Sequence, residues 1–199
     1  MRLWLFHPLI FYPLAILFAA GLILISLAPQ AWPRAPELQA GEIQNGAVVL
    51  ETNAFTAPAT GAGQSSYVTR DIWGDAHYLH IAVQPNRGNP APTEQGVRIL
   101  LKPETAALLQ NRPVTLEVTY NPTPVNAATG LAASLEGNGP SNWVSQTIAA
   151  QSATVRFQLP ARAMIDAIGL RAISTEQDQA YGVEIVRIRA IPGSLVAGG

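Results

Sequence analysis

The chain has 199 residues, a formal net charge of −1 and charged residues over only 13% of its length, so it carries neither the basic footprint of a nucleic-acid binder nor an acidic tail. It contains no cysteine, which excludes a disulfide framework, a thiolate metal site and a thiol nucleophile. Lysine occurs once, at Lys102, and all the other basic residues are arginines.

The first element is the uncharged run from Pro8 to Ala28, PLIFYPLAILFAAGLILISLA. At ~1.5 Å rise per residue such a helix covers roughly 30 Å, the thickness of a bilayer's hydrocarbon core. A cleavable export signal has a shorter apolar region of ~7–15 residues and a small-x-small cleavage site. The one candidate site here, after Ser26-Leu27-Ala28, is followed by Pro29, which blocks cleavage. The expectation is an uncleaved, single-pass transmembrane anchor over residues 1–28. Trp4, Phe11 and Tyr12 stand near one end of the run and Trp32 just past the other, where amphipathic rings prefer the interface. Pro13 kinks a helix or starts one, and a start there leaves too short a span, so the helix is expected to include Phe11 and Tyr12. Ala15 and Ala19 repeat at four-residue spacing with Gly21 beside them, a pattern that lets a second helix approach closely. Arg2 and the α-amino group precede the span, and Arg34, Glu37 and Glu42 follow it. The positive-inside tendency then places the N-terminus in the cytoplasm and the C-terminal domain in the periplasm of a bacterial inner membrane.

Residues 29–41, PQAWPRAPELQAG, are rich in proline and lack apolar periodicity, which predicts a semi-rigid linker. Residues 42–192 have the size of one domain, and 193–199 read as a flexible tail. Within the domain the signal has period two. In VTLEVTYN, Val114, Leu116, Val118 and Tyr120 alternate with Thr115, Glu117, Thr119 and Asn121. ATVRFQLP, HYLHIAVQ, GVRILLK, GLAASLEG and DAIGLRAI follow the same rule, and GAVVLETN is a further candidate. Each predicts a strand with one buried and one wet face, which puts Glu117, Glu136 and Glu184 in solvent. TAPATGAGQSS, QPNRGNPAPTEQG, NPTPVNAATG and GNGPSN are turn-forming clusters between them. One short helix is predicted in KPETAALLQN, with Pro103 in its first turn. YGVEIVRIRAI changes phase between Ile185 and Val186, which predicts a β-bulge or two covered faces. The reading is all-β: an antiparallel β-sandwich of eight or nine strands behind a single N-terminal transmembrane helix.

The succession LLQNRPVTLEVTYNP, LAASLEGNGPSNWVSQTI, ATVRFQLP and DAIGLRAISTEQDQAYGVEIVRIRAI resembles the galactose-binding-domain-like jelly rolls, the group that includes many carbohydrate-binding modules. The resemblance spans residues 42–192 and lies in the order of strands and turns. It implies a jelly-roll fold; that fold hosts sugar, lipid, peptide and structural roles alike. In the resembled group a structural calcium is common, but the acids that would hold it cannot be matched to positions in this chain.

The densest set of potential ligands is RDIWGDAHYLH, with Asp71, Asp75, His77 and His80. If the second half is a strand, His77 and His80 face opposite sides of it and cannot share an ion, so no metal is expected. The other acids are scattered, no Gly-x-Ser-x-Gly elbow or phosphate-cradling loop occurs, and neither a cofactor nor catalysis is expected. A sugar site would use aromatic rings, and Trp73, Tyr120 and Trp143 with Asn142 beside it are the candidates; a tryptophan opening a strand serves equally as a packing residue. Two functions fit. The first is a non-catalytic accessory or scaffold subunit of a larger inner-membrane complex, with the lipid bilayer and other membrane proteins as partners. The alternative is a membrane-anchored carbohydrate-binding module recognising an envelope glycan.

Overall fold

The computed structural model describes residues 8–31, 40–55, 58–61, 63–72, 74–86, 94–176 and 178–195, and the chain divides into an N-terminal helical unit and a larger β-rich unit. In the first, helix α1 runs from Pro8 to Ala31. It begins ahead of Pro13 and extends three residues into the stretch read as linker. Side chains are described for residues 11–24, where Phe11, Tyr12, Leu14, Ile16, Leu17, Phe18, Leu22, Ile23 and Leu24 are all exposed. At 3.6 residues per turn these positions surround the helix and leave it no polar face. Among the described residues no helix is long and apolar enough to cross a membrane. Trp4, Trp32 and linker residues 32–39 lie outside the described residues.

The second unit contains β1 (Glu42–Gln44), β2 (Ala47–Glu51), a 3-10 turn (Thr52–Phe55), β3 (Gln64–Arg70), β4 (Ala76–Val83), β5 (Val97–Leu100), α2 (Pro103–Leu109), β6 (Val114–Pro122), β7 (Gly130–Glu136), β8 (Val144–Thr147), β9 (Ala153–Leu159), β10 (Ala167–Ile173) and β11 (Tyr181–Pro192). They form two sheets. The larger has seven strands and is organised on β11, whose first half pairs with β4 and second half with β2 along one edge, while β6 pairs along the other. β3 extends the sheet beyond β4, β1 beyond β2 and β9 beyond β6. The smaller sheet has the order β5-β10-β7-β8. Every strand pairing is antiparallel, as the alternating pattern required.

Period two places one residue in two between the sheets. From the larger sheet Leu50, Leu79, Ile81, Leu116, Val118, Phe157, Ile185 and Ile188 are buried there, and from the smaller Val97, Ile99, Leu131, Ala133, Leu135, Ile168 and Leu170. Phe55, from the 3-10 turn, and Leu109, from α2, complete the same cluster. α2 follows the sequence reading, with Pro103 in its first turn, where a missing N–H costs no hydrogen bond.

Two expectations fail. β1 and β3 were not foreseen, since QSS was assigned to a turn cluster and Glu42–Gln44 is only three residues long. β7 and β10 also lack a wet face: every residue of β7 is buried, and all of β10 but Ile173. Glu136, expected in solvent, is 2% exposed.

One polar side chain ties the sheets together. β5 stops pairing with β10 at Leu170, so Ala172, paired with Leu131 of β7 on one side, has no strand on the other. Gln64 of β3, itself 1% exposed, supplies what is missing. Its amide nitrogen donates to the Ala172 carbonyl at 3.2 Å, and its amide oxygen accepts from the Ala172 N–H at 3.0 Å. A buried backbone donor and acceptor are thereby satisfied by one side chain. Gln64→Leu keeps the volume and removes both bonds. The expected cost is about 2 kcal/mol, seen as a fall in Tm of roughly 4–8 °C; an unchanged melting temperature would show that water replaces the carboxamide.

Candidate binding face

The outward face of the larger sheet is polar and open. The predicted bulge is present in β11: Ile185 pairs with Tyr120 and Arg187 with Thr119, so Val186 has no opposite number. Glu184 and Arg187 are three residues apart and on a regular strand would point to opposite faces. The extra residue restores the phase, so that Ile185 and Ile188 both enter the core while Glu184, Arg187 and Arg189 share the outer face. Bulges re-aim side chains in this way beside functional sites.

On one side of the bulge a row crosses four strands. Tyr67 lies opposite His80, His80 opposite Glu184 and Glu184 opposite Asn121. Tyr67 is 57% exposed, and its ring stacks on the His80 imidazole, with centroids 4.4 Å apart and planes 19° from parallel. The imidazole lies over Gly182, where an added Cβ would come within 2.8 Å of the ring. Burial lowers the His80 pKa and raises that of Glu184, so both lean toward their neutral forms.

On the other side is a groove of about 330 Å³. Thr119, Thr154, Arg187 and Arg189 form its floor with Glu117, and Gln44, Asn45 and Val49 close one end. Glu117 accepts from Arg156 Nε at 2.9 Å and from Arg189 Nη1 at 3.4 Å, and Arg187 pairs with Glu51 at 3.2 Å. The Thr119 and Thr154 hydroxyls are 3.0 Å apart. Val49 is the one apolar side chain in the lining, so the groove offers hydrogen bonds almost throughout. Gln44 and Asn45 reach it because Asn45-Gly46 makes a two-residue hairpin turn between β1 and β2, with φ of 50° and 76°. Positive φ at both central positions is the type I′ geometry that matches sheet twist, and Asn-Gly is the dipeptide that tolerates it. The sequence carries that signal as QNGA.

The candidates named from sequence are not brought together. Tyr120 is 2% exposed and belongs to the core; its hydroxyl accepts from the Ala149 N–H at 2.8 Å, so it cannot serve as a sugar platform. Trp73 lies outside the described residues. Asn142 is exposed, in the loop before β8, and lines a small crevice with Leu135, Pro160 and Arg162. Arg162 holds that loop by donating to the carbonyls of Leu135, Asn138, Gly139 and Pro140 at 2.9–3.1 Å.

Trp143 is neither an open platform nor a residue between the sheets. Half-buried, it lies on the outside of the smaller sheet with the Arg171 guanidinium 3.8 Å from its ring centroid. Beneath it Arg98 Nε meets Glu136 at 2.7 Å. Burial raises the Glu136 pKa, opposed by the charge of Arg98 and a hydrogen bond from the Gly96 backbone. An added Cβ at Gly169 would strike Glu136 Oε1 and come within 2.9 Å of Trp143, and one at Gly96 would come within 2.6 Å of the same ring. Two glycines therefore make the trough that receives the indole.

His77 pairs with Asp71 at 3.6 Å, and the Asp75 N–H donates to Asp71 Oδ1 at 2.9 Å. His80 stacks on Tyr67 from the other face of β4. Among the described residues no three His, Asp or Glu side chains converge on a common point suited to a metal.

No family model matches the chain, and no curated protein matches it. Among solved structures, the module BiXyn10A CBM1 in its apo form shares 10% identity, with 73% of this chain and 96% of that one covered and a TM-score of 0.47. The tandem CBM22-1-CBM22-2 domain of Xyn10C from Paenibacillus barcinonensis shares 13%, over 81% of this chain and 49% of that one, with a TM-score of 0.46. The insecticidal crystal protein Cry7Ca1 of Bacillus thuringiensis shares 16%, over 74% of this chain and 23% of that one, with a TM-score of 0.38. The architecture of the β-rich unit is two antiparallel sheets packed on a common core.

Gly169→Ala places a methyl group where Glu136 and Trp143 meet. Overpacking there is expected to cost about 1–3 kcal/mol, read as a lower denaturation midpoint. An unaltered midpoint would mean that the indole is not seated in the trough.

Proposed function

We propose that this chain is a membrane-anchored, non-catalytic saccharide-binding module. The observation that carries the reading is the outer face of the larger sheet, where an exposed ring, Tyr67, shares one surface with a groove lined almost wholly by hydrogen-bonding side chains. A sugar needs both. Its C–H face packs on the negative face of an aromatic ring, and its hydroxyls require paired donors and acceptors. β3 and β11 are separated by β4, so Tyr67 and Glu184 stand two strand spacings, roughly 10 Å, apart, and the ligand is correspondingly more than one sugar ring. The one carboxylate in the groove lining, Glu117, is already shared by two guanidiniums, which leaves it poorly placed to transfer a proton. In this reading α1 is the anchor in a bacterial inner membrane, its uncharged sequence from Pro8 to Ala31 supporting that role, and the β-rich unit stands on the periplasmic side.

A second reading, an accessory subunit of an inner-membrane complex, is favoured by α1 itself. Ala15, Ala19 and Gly21 are small, and a Cβ added at Gly21 would meet nothing within 4 Å, so a partner helix has room to approach.

The test is binding of the full-length chain, extracted in mild detergent, to a panel of oligosaccharides by isothermal titration calorimetry. Saturable binding that weakens about tenfold in Tyr67→Ala, a loss of ~1.4 kcal/mol, is expected. Absence of binding to every saccharide, with stoichiometric co-purification of other membrane proteins, would replace this reading by the second.

A further inference from the structure

Charge on the groove narrows the class of ligand. Its lining contains two guanidiniums, Arg187 and Arg189, and one carboxylate, Glu117. Glu117 is also engaged by Arg156, so its two oxygens are divided between a guanidinium outside the lining and one inside it. The contact to Arg189 is the longer of the two, at 3.4 Å. Among the described residues Arg187 is held by its pair with Glu51, in which both side chains are 44% exposed, and an exposed pair of this kind is weak and readily exchanged. The other carboxylates on this face, Glu42, Glu51 and Glu184, are outside the lining.

Arg187 and Arg189 are two residues apart on one strand and lie on the same face, hence roughly 7 Å apart at their Cα atoms. Both line the same groove as Thr119 and Thr154. Planar guanidiniums donate in pairs and match carboxylate, sulfate and phosphate oxygens, and charge-assisted bonds of this type are about twice as strong as neutral ones. The structure thus combines hydroxyl-binding groups with incompletely engaged guanidiniums in one groove. We infer that the groove takes an acidic saccharide, with an oxyanion of the sugar gripped between Arg187 and Arg189 and its hydroxyls received by Thr119, Thr154 and Gln44. This rests on the saccharide-binding reading above and names the class of sugar.

The experiment titrates the full-length chain in mild detergent with di- and trisaccharides of glucuronate, galacturonate and mannuronate. Each is set beside its neutral counterpart, and an oligosaccharide carrying a terminal phosphate is included. At least one acidic probe is expected to bind tenfold or more tighter than its neutral partner, with a preference that shrinks between 50 and 500 mM salt. Preference for the phosphorylated probe over the uronates supports the same site with phosphate as the oxyanion. Arg187→Gln and Arg189→Gln should each weaken the acidic ligand about tenfold and a neutral one by much less, so that the acidic preference shrinks, while Glu117→Gln should strengthen the acidic ligand. The last variant changes sign, which a merely structural role of these residues would not produce. Equal affinity for acidic and neutral members overturns the inference and leaves the saccharide reading standing. Failure of every saccharide to bind overturns both.

Discussion

A single extra residue in β11 organises the face on which the functional reading rests. β11 is the strand shared by most of the larger sheet, pairing with β4 and β2 along one edge and with β6 along the other. Were it regular, either Ile188 and Ala190 or Val183 and Ile185 would have to leave the core, because side chains on a strand alternate strictly. The bulge at Val186 keeps both sets inside. As a consequence Glu184, Arg187 and Arg189 emerge together on the outer face, the face that also carries the Tyr67–His80 row.

The two sheets solve the problem of covering their outer faces differently. The larger sheet leaves its outer face to water and fills it with threonines and ion pairs. The smaller covers its own with side chains: Trp143 lies across Gly96 and Gly169, and the charged groups beneath it, Arg98 and Glu136, are paired. A carboxylate removed from water in this way is tolerable only with a cation and a backbone donor beside it, and both are present. The smaller sheet's outer face is closed by packing, and the larger sheet's stays open to solvent.

Much of the β-rich unit was legible in the chain. Val114, Leu116 and Val118 announced a strand and its buried side, Pro103 the start of α2, and the parity change at Ile185–Val186 the bulge. The β1–β2 hairpin was legible in principle through Asn45-Gly46 but hidden by the brevity of its first strand. Other features had no local signature. Glu136 sits at a polar position of an alternating strand, and nothing near it in sequence shows that Arg98 and Trp143 will close over it. Gln64 looks like a turn residue until the end of β5 leaves one side of Ala172 without a strand.

The sequence by itself determined the periodicities: an uncharged helix at the N-terminus and alternating strands thereafter, because backbone geometry converts side-chain spacing directly into faces. It also settled which chemistries were absent, since a chain without cysteine has no thiolate to offer. Only the tertiary structure decided which faces meet solvent and which residues share them. Tyr120 was a candidate ring by composition and became a core residue, whereas Tyr67, Arg187 and Arg189 came to share one outer face from strands far apart in the chain. Strand order and register are set by long-range pairing, and no local pattern encodes which polar side chains that pairing will gather on one surface.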